Sequence, residues 1–516
     1  MKKDRYALLN VTDKTGIVEL AYALHGQGFK LISSGGTALT LRQAELEVIE
    51  LKEIIPTPDL LEGRLNMLHP RIMAGIAADR GNPGQMHEVE RRGAVLIDLV
   101  AVNLYPVAAA AADKDMTQAE ILDYVDLAHS ALLRAAARNF RQVICLCDPS
   151  DYQSVVDSLR QYDRVNPDRR QMLAAKAFHY SAYYDTTVAQ YLGAKWDRLP
   201  DELVMGLKKT ADLRYGENPQ QLGALYTLSG ARPWGLNSAQ LVFGKPLSYN
   251  HYLDLEVAWG LATEILDPAC AIVKHGTPAG AAVSERLAEA ARQAYRCDPR
   301  GCFRATAAVN REIDEAAAAF FAEEYVACIA APDFTPKALS ILKTKKDIRL
   351  VTLPSTLISP EELDLRAVAG GLLVQDKDNH PLTGAPKTMT RRAPSEVETK
   401  SMRLAWHVAK HAKTHAAVLC RGFTTIGIGS GQTSRLDSLR LALAKSQERH
   451  PILPAGLPMV LASDSALSVE HIHEAAQSGI TAIIQPGGSA EDKDAVEGCD
   501  QRGLAMVFTG VRHFRH

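Results

Sequence analysis

The sequence predicts an α/β protein whose first part is a parallel sheet with helices on both faces. Two observations carry this. Short apolar runs alternate with stretches of helical periodicity, and each early run ends in a polar loop that leads into a helix. No run of about 18 apolar residues breaks the pattern, so no membrane span is expected.

Ala7-Leu8-Leu9-Asn10-Val11 reads as a buried strand, Thr12 to Gly16 as a loop, and Ile17 to Leu24 as a helix. Phe29 to Ile32 is a second strand, followed by Ser33-Ser34-Gly35-Gly36-Thr37 and another helix. Leu96 to Leu104 is a further strand closed by Tyr105-Pro106, Ala131 to Asn139 a helix, and Gln142 to Leu146 a strand. Sheets built this way bind ligands beyond the carboxyl ends of their strands. Ala194 to Arg214, with Trp196, Pro200 and little periodicity, reads as a boundary between domains at 1–198 and 199–516. Beyond it buried strands and helices resume. Pro451, Pro454 and Pro458 mark a loop expected to divide this second region, and no repeat of fixed period is visible.

With 516 residues the chain exceeds what one core organises. A net charge of -2 gives no electrostatic reason for a nucleic acid or anionic membrane as partner. A cytoplasmic enzyme with small-molecule ligands is expected, and no signal peptide is expected before the first strand. The eight cysteines form no CxxC pair and mostly sit in apolar runs, so buried reduced thiols are expected and no metal is predicted. His471-Ile472-His473-Glu474 lacks further matched ligands and reads as a solvated helix face.

Thr12, Lys14, Ser34, Gly36 and Thr37 lie on two successive strand-to-helix loops. Hydroxyls, backbone N–H groups, helix N-termini and an ammonium suit a phosphate, and Arg64 would complete the cradle. The competing reading is helix capping. Tyr105 and Asp126 are candidates at the same edge, although an aspartate before a helix commonly caps it. In the second region Arg214-Tyr215-Gly216-Glu217-Asn218-Pro219 is a dense polar turn. Gly427 to Arg435 reads as a glycine-rich loop between strand and helix, without the Lys of a Walker motif. Most informative is Lys274-His275, delivered by the apolar run Ala269 to Val273 into an expected loop of Gly276, Thr277, Pro278 and Gly280. Side chains alternate along a strand, so both reach one pocket only if the backbone turns there. An imidazole takes a proton from an attacking amine, and an ammonium supports a leaving nitrogen.

Several of these segments resemble those of the AICAR transformylase/IMP cyclohydrolase family of purine biosynthesis. They are Thr12 to Gly16, Ser34-Gly35-Gly36-Thr37, Gly63-Arg64, Leu68-His69-Pro70, Asn103-Leu104-Tyr105-Pro106, Arg214 to Pro219, Lys274-His275, Gly427-Ile428-Gly429, Gly431-Gln432, Ser434-Arg435 and Arg512 to His516. The resemblance runs nearly end to end. It implies a methylglyoxal-synthase-like parallel α/β domain that closes formyl-AICAR to IMP without a cofactor. It further implies two cytidine-deaminase-like α/β units, without zinc, that move a formyl group from 10-formyltetrahydrofolate, a co-substrate, to AICAR. A homodimer is implied as well. By the same resemblance Lys274, His275, His415, Tyr105, Asp126, Arg138 and Asn66 occupy catalytic positions. Arg214, Tyr215, Gln432, Arg435, Asp464 and Arg512 join the cradle residues in binding substrate.

The chain also departs from the family pattern. Asn66 and Arg138 stand in place of lysines, Ala128-His129 in place of two glycines, and His415 in place of an amide. Arg304 replaces a glycine and Ala327 an acidic residue. Two further readings therefore stand beside the enzyme of the family: a paralogue acting on another phosphorylated amine, and a nucleotide-binding homologue without catalysis.

Overall fold

Apolar residues on successive positions make β1 (Arg5–Asn10) a strand buried on both faces: Ala7 and Leu9 enter one core and Leu8 the other. The computed structural model describes residues 4–55, 65–113, 115–193, 198–229, 235–354, 363–380, 382, 384, 386–448 and 456–516. They form two compact units, Met1–Lys208 with Thr227–Arg232, and Lys209–Tyr226 with Pro233–His516.

In the first unit β1 joins β2 (Phe29–Ser33), β3 (Val48–Glu50), β4 (Leu99–Val102) and β5 (Ile144–Leu146) in the order β3-β2-β1-β4-β5. Every pair is parallel, as the alternation of strand and helix predicts. The order reverses between β1 and β4, and a crevice at such a switch point is where open sheets bind ligands. β4 is shorter than expected. Ile97 N–H bonds the Gly75 carbonyl rather than a strand, and Asn103 turns its side chain to the loop after β1. Between β4 and β5 the helix Ala128–Arg138 packs along the sheet.

A two-stranded ribbon, β6 (Leu207–Leu213) and β7 (Gly223–Leu228), precedes the second sheet. That sheet holds β8 (Gln240–Phe243), β9 (Ala269–Lys274), β10 (Thr277–Val283), β11 (Thr306–Val309), β12 (Cys328–Ala331) and β13 (Arg349–Thr352). After a hairpin, β14 (Leu363–Val368) and β15 (Gly371–Asp376), follow β16 (Lys387–Thr388), β17 (Ala417–Arg421), β18 (Thr424–Gly429), β19 (Met459–Ser463), β20 (Ile480–Gln485) and β21 (Ala505–Phe508). The order is β16-β21-β20-β19-β17-β18-β10-β9-β11-β12-β13-β8, with parallel and antiparallel pairs.

The order reads the same from both ends. β8 to β13 and β16 to β21 repeat one pattern, strand, helix, hairpin, then helix and strand in alternation, and meet at β10–β18. The division of this unit thus falls between β13 and β16. Pro458 only leads into β19, and Pro451 and Pro454 lie outside the described residues.

Three glycines explain how close the helices lie. A Cβ on Gly280 of β10 would come 2.0 Å from the Ala294 carbonyl oxygen. Cβ atoms on Gly427 and Gly429 of β18 would come 2.1 and 1.9 Å from those of Ala442 and Ser438. Gly427 and Gly429 are therefore strand residues that admit a helix, and the expected glycine loop shrinks to Ser430–Ser434. The expected loop after His275 is likewise β10, with Pro278 beside a bulge. All eight cysteines are free and buried, and burial pushes the Cys147, Cys328 and Cys499 thiols up to about 12. His471 is buried rather than solvated, its Nδ1 engaged by Ser468, while His473 is exposed. No helix among the described residues is long and apolar enough to cross a membrane.

Candidate active sites

In the first unit the carboxyl ends of β1, β2 and β4 converge. Asn103 holds the loop after β1 in place: its Oδ1 accepts from Thr12 N–H (2.6 Å) and Asp13 N–H (3.0 Å). Thr37 ties the loop after β2 to it, accepting from Val11 N–H and donating to Val11 O, each at 3.0 Å. The Thr37 hydroxyl is thus buried and serves the scaffold. Lys14 reaches over the start of the helix Gly35–Gln43, its Nζ 3.7 Å from where a Cβ on Gly36 would lie. The first N–H groups of that helix have no partner within it, so Lys14, Gly36 and the Ser34 hydroxyl form an electropositive cup. Arg64 lies outside the described residues.

Beside this cup lies a second group. Asp126 is buried and commits both oxygens to His129: Oδ1 accepts the backbone N–H at 2.8 Å and Oδ2 the ring Nδ1 at 2.7 Å. The first bond serves the helix start, as capping predicts, and the second orients a side chain. His129 Nε2 lies 3.0 Å from Asn10 Nδ2, which also reaches Ser34 Oγ (3.4 Å) and Met67 Sδ (3.3 Å). The Tyr105 ring stands edge-on to His129, centroids 6.0 Å apart, and is 43% exposed. Tyr184 accepts Asp126 N–H and donates to Tyr124 O; burial pushes its phenol up to about 12, so it keeps that proton. Asn66 begins the 3-10 turn that carries Met67. Arg138 is not in this group. It is exposed at the far end of the helix Ala128–Arg138, about 13 Å along the axis from His129. Asn10 and Asn103 were not singled out by the sequence, because their partners are remote in the chain.

In the second unit β9 and β10 are joined by a two-residue turn, His275 (φ 55°) and Gly276 (φ 67°). Positive φ at both central residues is the tight hairpin geometry, and it is the backbone turn that lets Lys274 and His275 share a site. Gly276 N–H donates to Asp254 Oδ1 at 2.8 Å. Burial pushes the Asp254 carboxyl up, against that N–H and the charges of His275 and Lys274. Lys274 Nζ donates to Phe303 O at 2.7 Å, and His275 is exposed.

The same sheet edge gathers the ends of β17, β18 and β19. Thr277 Oγ1 lies 3.3 Å from Ser430 Oγ, and Gly431 N–H donates to Thr414 O. His415 (φ 57°) places Nδ1 3.1 Å from Gln432 O and its ring edge-on to Phe514. Arg512 stacks on Phe514 at 4.1 Å, and Arg435 donates to Ala466 O at 2.6 Å. Asp464 is fully buried and accepts from Ala416 N–H at 3.0 Å. Burial pushes its carboxyl up to about 6, against Ala416 N–H and the Thr414 and Ser465 hydroxyls. Arg214 packs on Tyr215 in the turn after β6. Asn250 Nδ2 ties that turn to the helix bearing Asp254 by donating to Glu217 O at 3.3 Å. No group of three or more metal-ligating side chains occurs among the described residues.

The described non-glycine residues of this unit with positive φ are His275, Arg304 and His415, and all three lie on this edge. Strained backbone of this kind collects at functional sites.

Residues 136–445 match the model of the AICARFT/IMPCHase bienzyme, and residues 16–125 that of the MGS-like domain. The bifunctional purine biosynthesis protein PurH of Chloroflexus aurantiacus is 44% identical over 99% of this chain and 98% of its own. That of Anoxybacillus flavithermus is 39% identical over 99% of this chain and 100% of its own. A solved structure titled crystal structure of ForH aligns with 37% of this chain and all of its own at 35% identity, TM-score 0.34. The chain belongs to the AICARFT/IMPCHase bienzyme family of bifunctional purine biosynthesis proteins.

Proposed function

We propose that the second unit transfers a formyl group from 10-formyltetrahydrofolate to the 5-amino group of AICAR, and that the first closes the product to IMP with loss of water. The strained two-residue turn carries the first half of this reading. It presents His275 to solvent beside Lys274. As the amine nitrogen bonds to the formyl carbon, His275 takes its proton. Lys274 protonates the folate nitrogen as the bond to it breaks. His415 lies on the same edge, where the substrate's polar groups would be held, and the buried Asp464 fixes the backbone behind it through Ala416 N–H. For the second half, the cup of Lys14, Ser34 and Gly36 suits the nucleotide phosphate, and Tyr105 borders the reacting end.

The recurring element order supports reading the second sheet as two cytidine-deaminase-like units. Domains at 1–198 and 199–516, a homodimer and a cytoplasmic location belong to the same proposal. Purified protein given AICAR and 10-formyltetrahydrofolate is expected to release formyl-AICAR or IMP, and His275→Ala to lower kcat about 100-fold or more. Wild-type protein without turnover, or a fully active variant, overturns the reading.

A second reading, a paralogue for another phosphorylated amine, is favoured by Arg304. It holds φ 58° one residue from the carbonyl that binds Lys274, where the family pattern has glycine. AICAR binding without turnover would favour it.

A further inference from the structure

His129 is the one ring among the described residues whose two nitrogens join the buried Asp126 to the carboxyl end of β1. Asp126 Oδ2 is an acceptor, so the Nδ1 at 2.7 Å carries the ring proton. Nε2 then presents its lone pair and accepts from Asn10 Nδ2 at 3.0 Å. The side chain is 12% exposed, against 2% for Asp126, so it is the outer member of the pair. Tyr105 flanks it, and Asn10 in turn touches Ser34 Oγ of the anion cup. A buried carboxylate that fixes the tautomer of an imidazole aimed at a substrate position is the arrangement by which histidine becomes a base in many enzymes. Asn66, on the turn beside it, offers only an amide, which acts as neither general base nor general acid near neutral pH.

We propose that His129 Nε2 is the proton-transfer atom of the first unit and that Asp126 is its positioning residue. The proposal rests on reading this unit as the one that cyclises formyl-AICAR. The carboxamide nitrogen bonds to the formyl carbon and gives one proton to Nε2, which passes it to the former carbonyl oxygen. The formamido nitrogen then releases its proton through Nε2 to that hydroxyl as the carbon–oxygen bond breaks and the carbon–nitrogen double bond forms. One water leaves, its two hydrogens come one from each nitrogen, and no oxidant or further reactant is needed. Asn10 yields Nε2 to the substrate on binding.

The test uses full-length protein labelled with 15N-histidine. Addition of IMP is expected to shift the Nε2 resonance of His129 while Nδ1 keeps its proton. Asp126→Asn, whose amide donates to Nδ1, is expected to move the ring proton to Nε2, a change that mere packing would not produce. In cyclisation of formyl-AICAR, His129→Gly is expected to lose about 100-fold or more in kcat. IMP affinity should stay within about threefold of wild type, and added imidazole should restore at least about tenfold of the lost rate. An active His129→Gln variant, or IMP binding that leaves Nε2 unmoved, overturns the proposal and leaves the reading of the unit intact. Wild-type protein that neither binds IMP nor cyclises overturns both.

Discussion

His275 and His415 hold φ near +55°, a conformation that costs a non-glycine residue about 1 kcal/mol or more. Asn or Gly would complete the same hairpin turn at lower cost. An imidazole at His275 is therefore explained by what it presents, not by how it folds. Asp464 makes a comparable demand through burial. Its carboxyl is pushed from the usual 3.8 to about 6. A folded state that holds the proton more tightly than the unfolded one is most favoured below about pH 4, and that advantage is lost as pH rises through about 6. Asp464→Asn keeps the acceptor for Ala416 N–H and cannot ionise. Its unfolding free energy relative to wild type is expected to rise from pH 5 to pH 7.5 by about 1–2 kcal/mol. A difference that stays constant over this range, measured by denaturant titration, would show that Asp464 is not protonated in the fold.

At the scale of elements, the helices Tyr249–Glu264 and Glu396–His411 are joined by charge. Glu264 lies 2.6 Å from Lys410 Nζ and 3.3 Å from His407 Nδ1 and His411 Nε2. Gly260 makes the room: a Cβ there would come 3.0 Å from the His411 ring. Burial opposes the charge on Glu264, yet His411, His407 and Lys410 hold its carboxyl far below the usual range. Glu264→Gln leaves the buried Lys410 ammonium without its carboxylate and is expected to cost about 3–5 kcal/mol at pH 7. A depressed carboxyl contributes above its unfolded value and loses that contribution as pH falls, so the difference should narrow below about pH 4.5. Equal urea midpoints at pH 7 would sink the claim. This cluster was not legible in the sequence, because Glu264 and Lys410 are 146 residues apart. Four of the five strands of the first unit were legible as apolar runs; β3, the three-residue Val48–Glu50 at the sheet edge, was not, because it is short and only half-buried. β10 was not: Pro278 and Gly280 read as a loop, and only the close approach of Ala294 shows why glycine sits in a strand. The recurrence of β9–β10 in β17–β18 was hidden because the paired segments differ, Ala269-Cys270-Ala271-Ile272-Val273 against Ala417-Val418-Leu419-Cys420. Lys274-His275 was found from adjacency alone, whereas the Asp126–His129–Asn10 chain needed a contact across 119 residues.

Over the whole molecule, the way the cores are shared decides what unfolds together. The first unit has its own cores on the two faces of its sheet. In the second, one face carries a single core from Leu247 to Val507 that takes residues from both halves. The other face carries two separate cores, one under each half. At the β10–β18 junction, beside the pair Ala282 and Thr424, Thr425 Oγ1 accepts from Ala281 N–H and donates to Ala281 O, so a side-chain hydroxyl joins the two halves there. A shared core couples the halves although they repeat one pattern, because neither can expose its side of that core alone. Trp406 is 1% exposed within it. Trp406→Ala is expected to destabilise the second unit by about 3–5 kcal/mol. Hydrogen exchange of the full chain should show amides of β9 and β17 losing the same protection, while those of β1 and β4 keep theirs. Loss confined to the half that contains Trp406 would mean that each half folds on its own core and that the common face does not couple them.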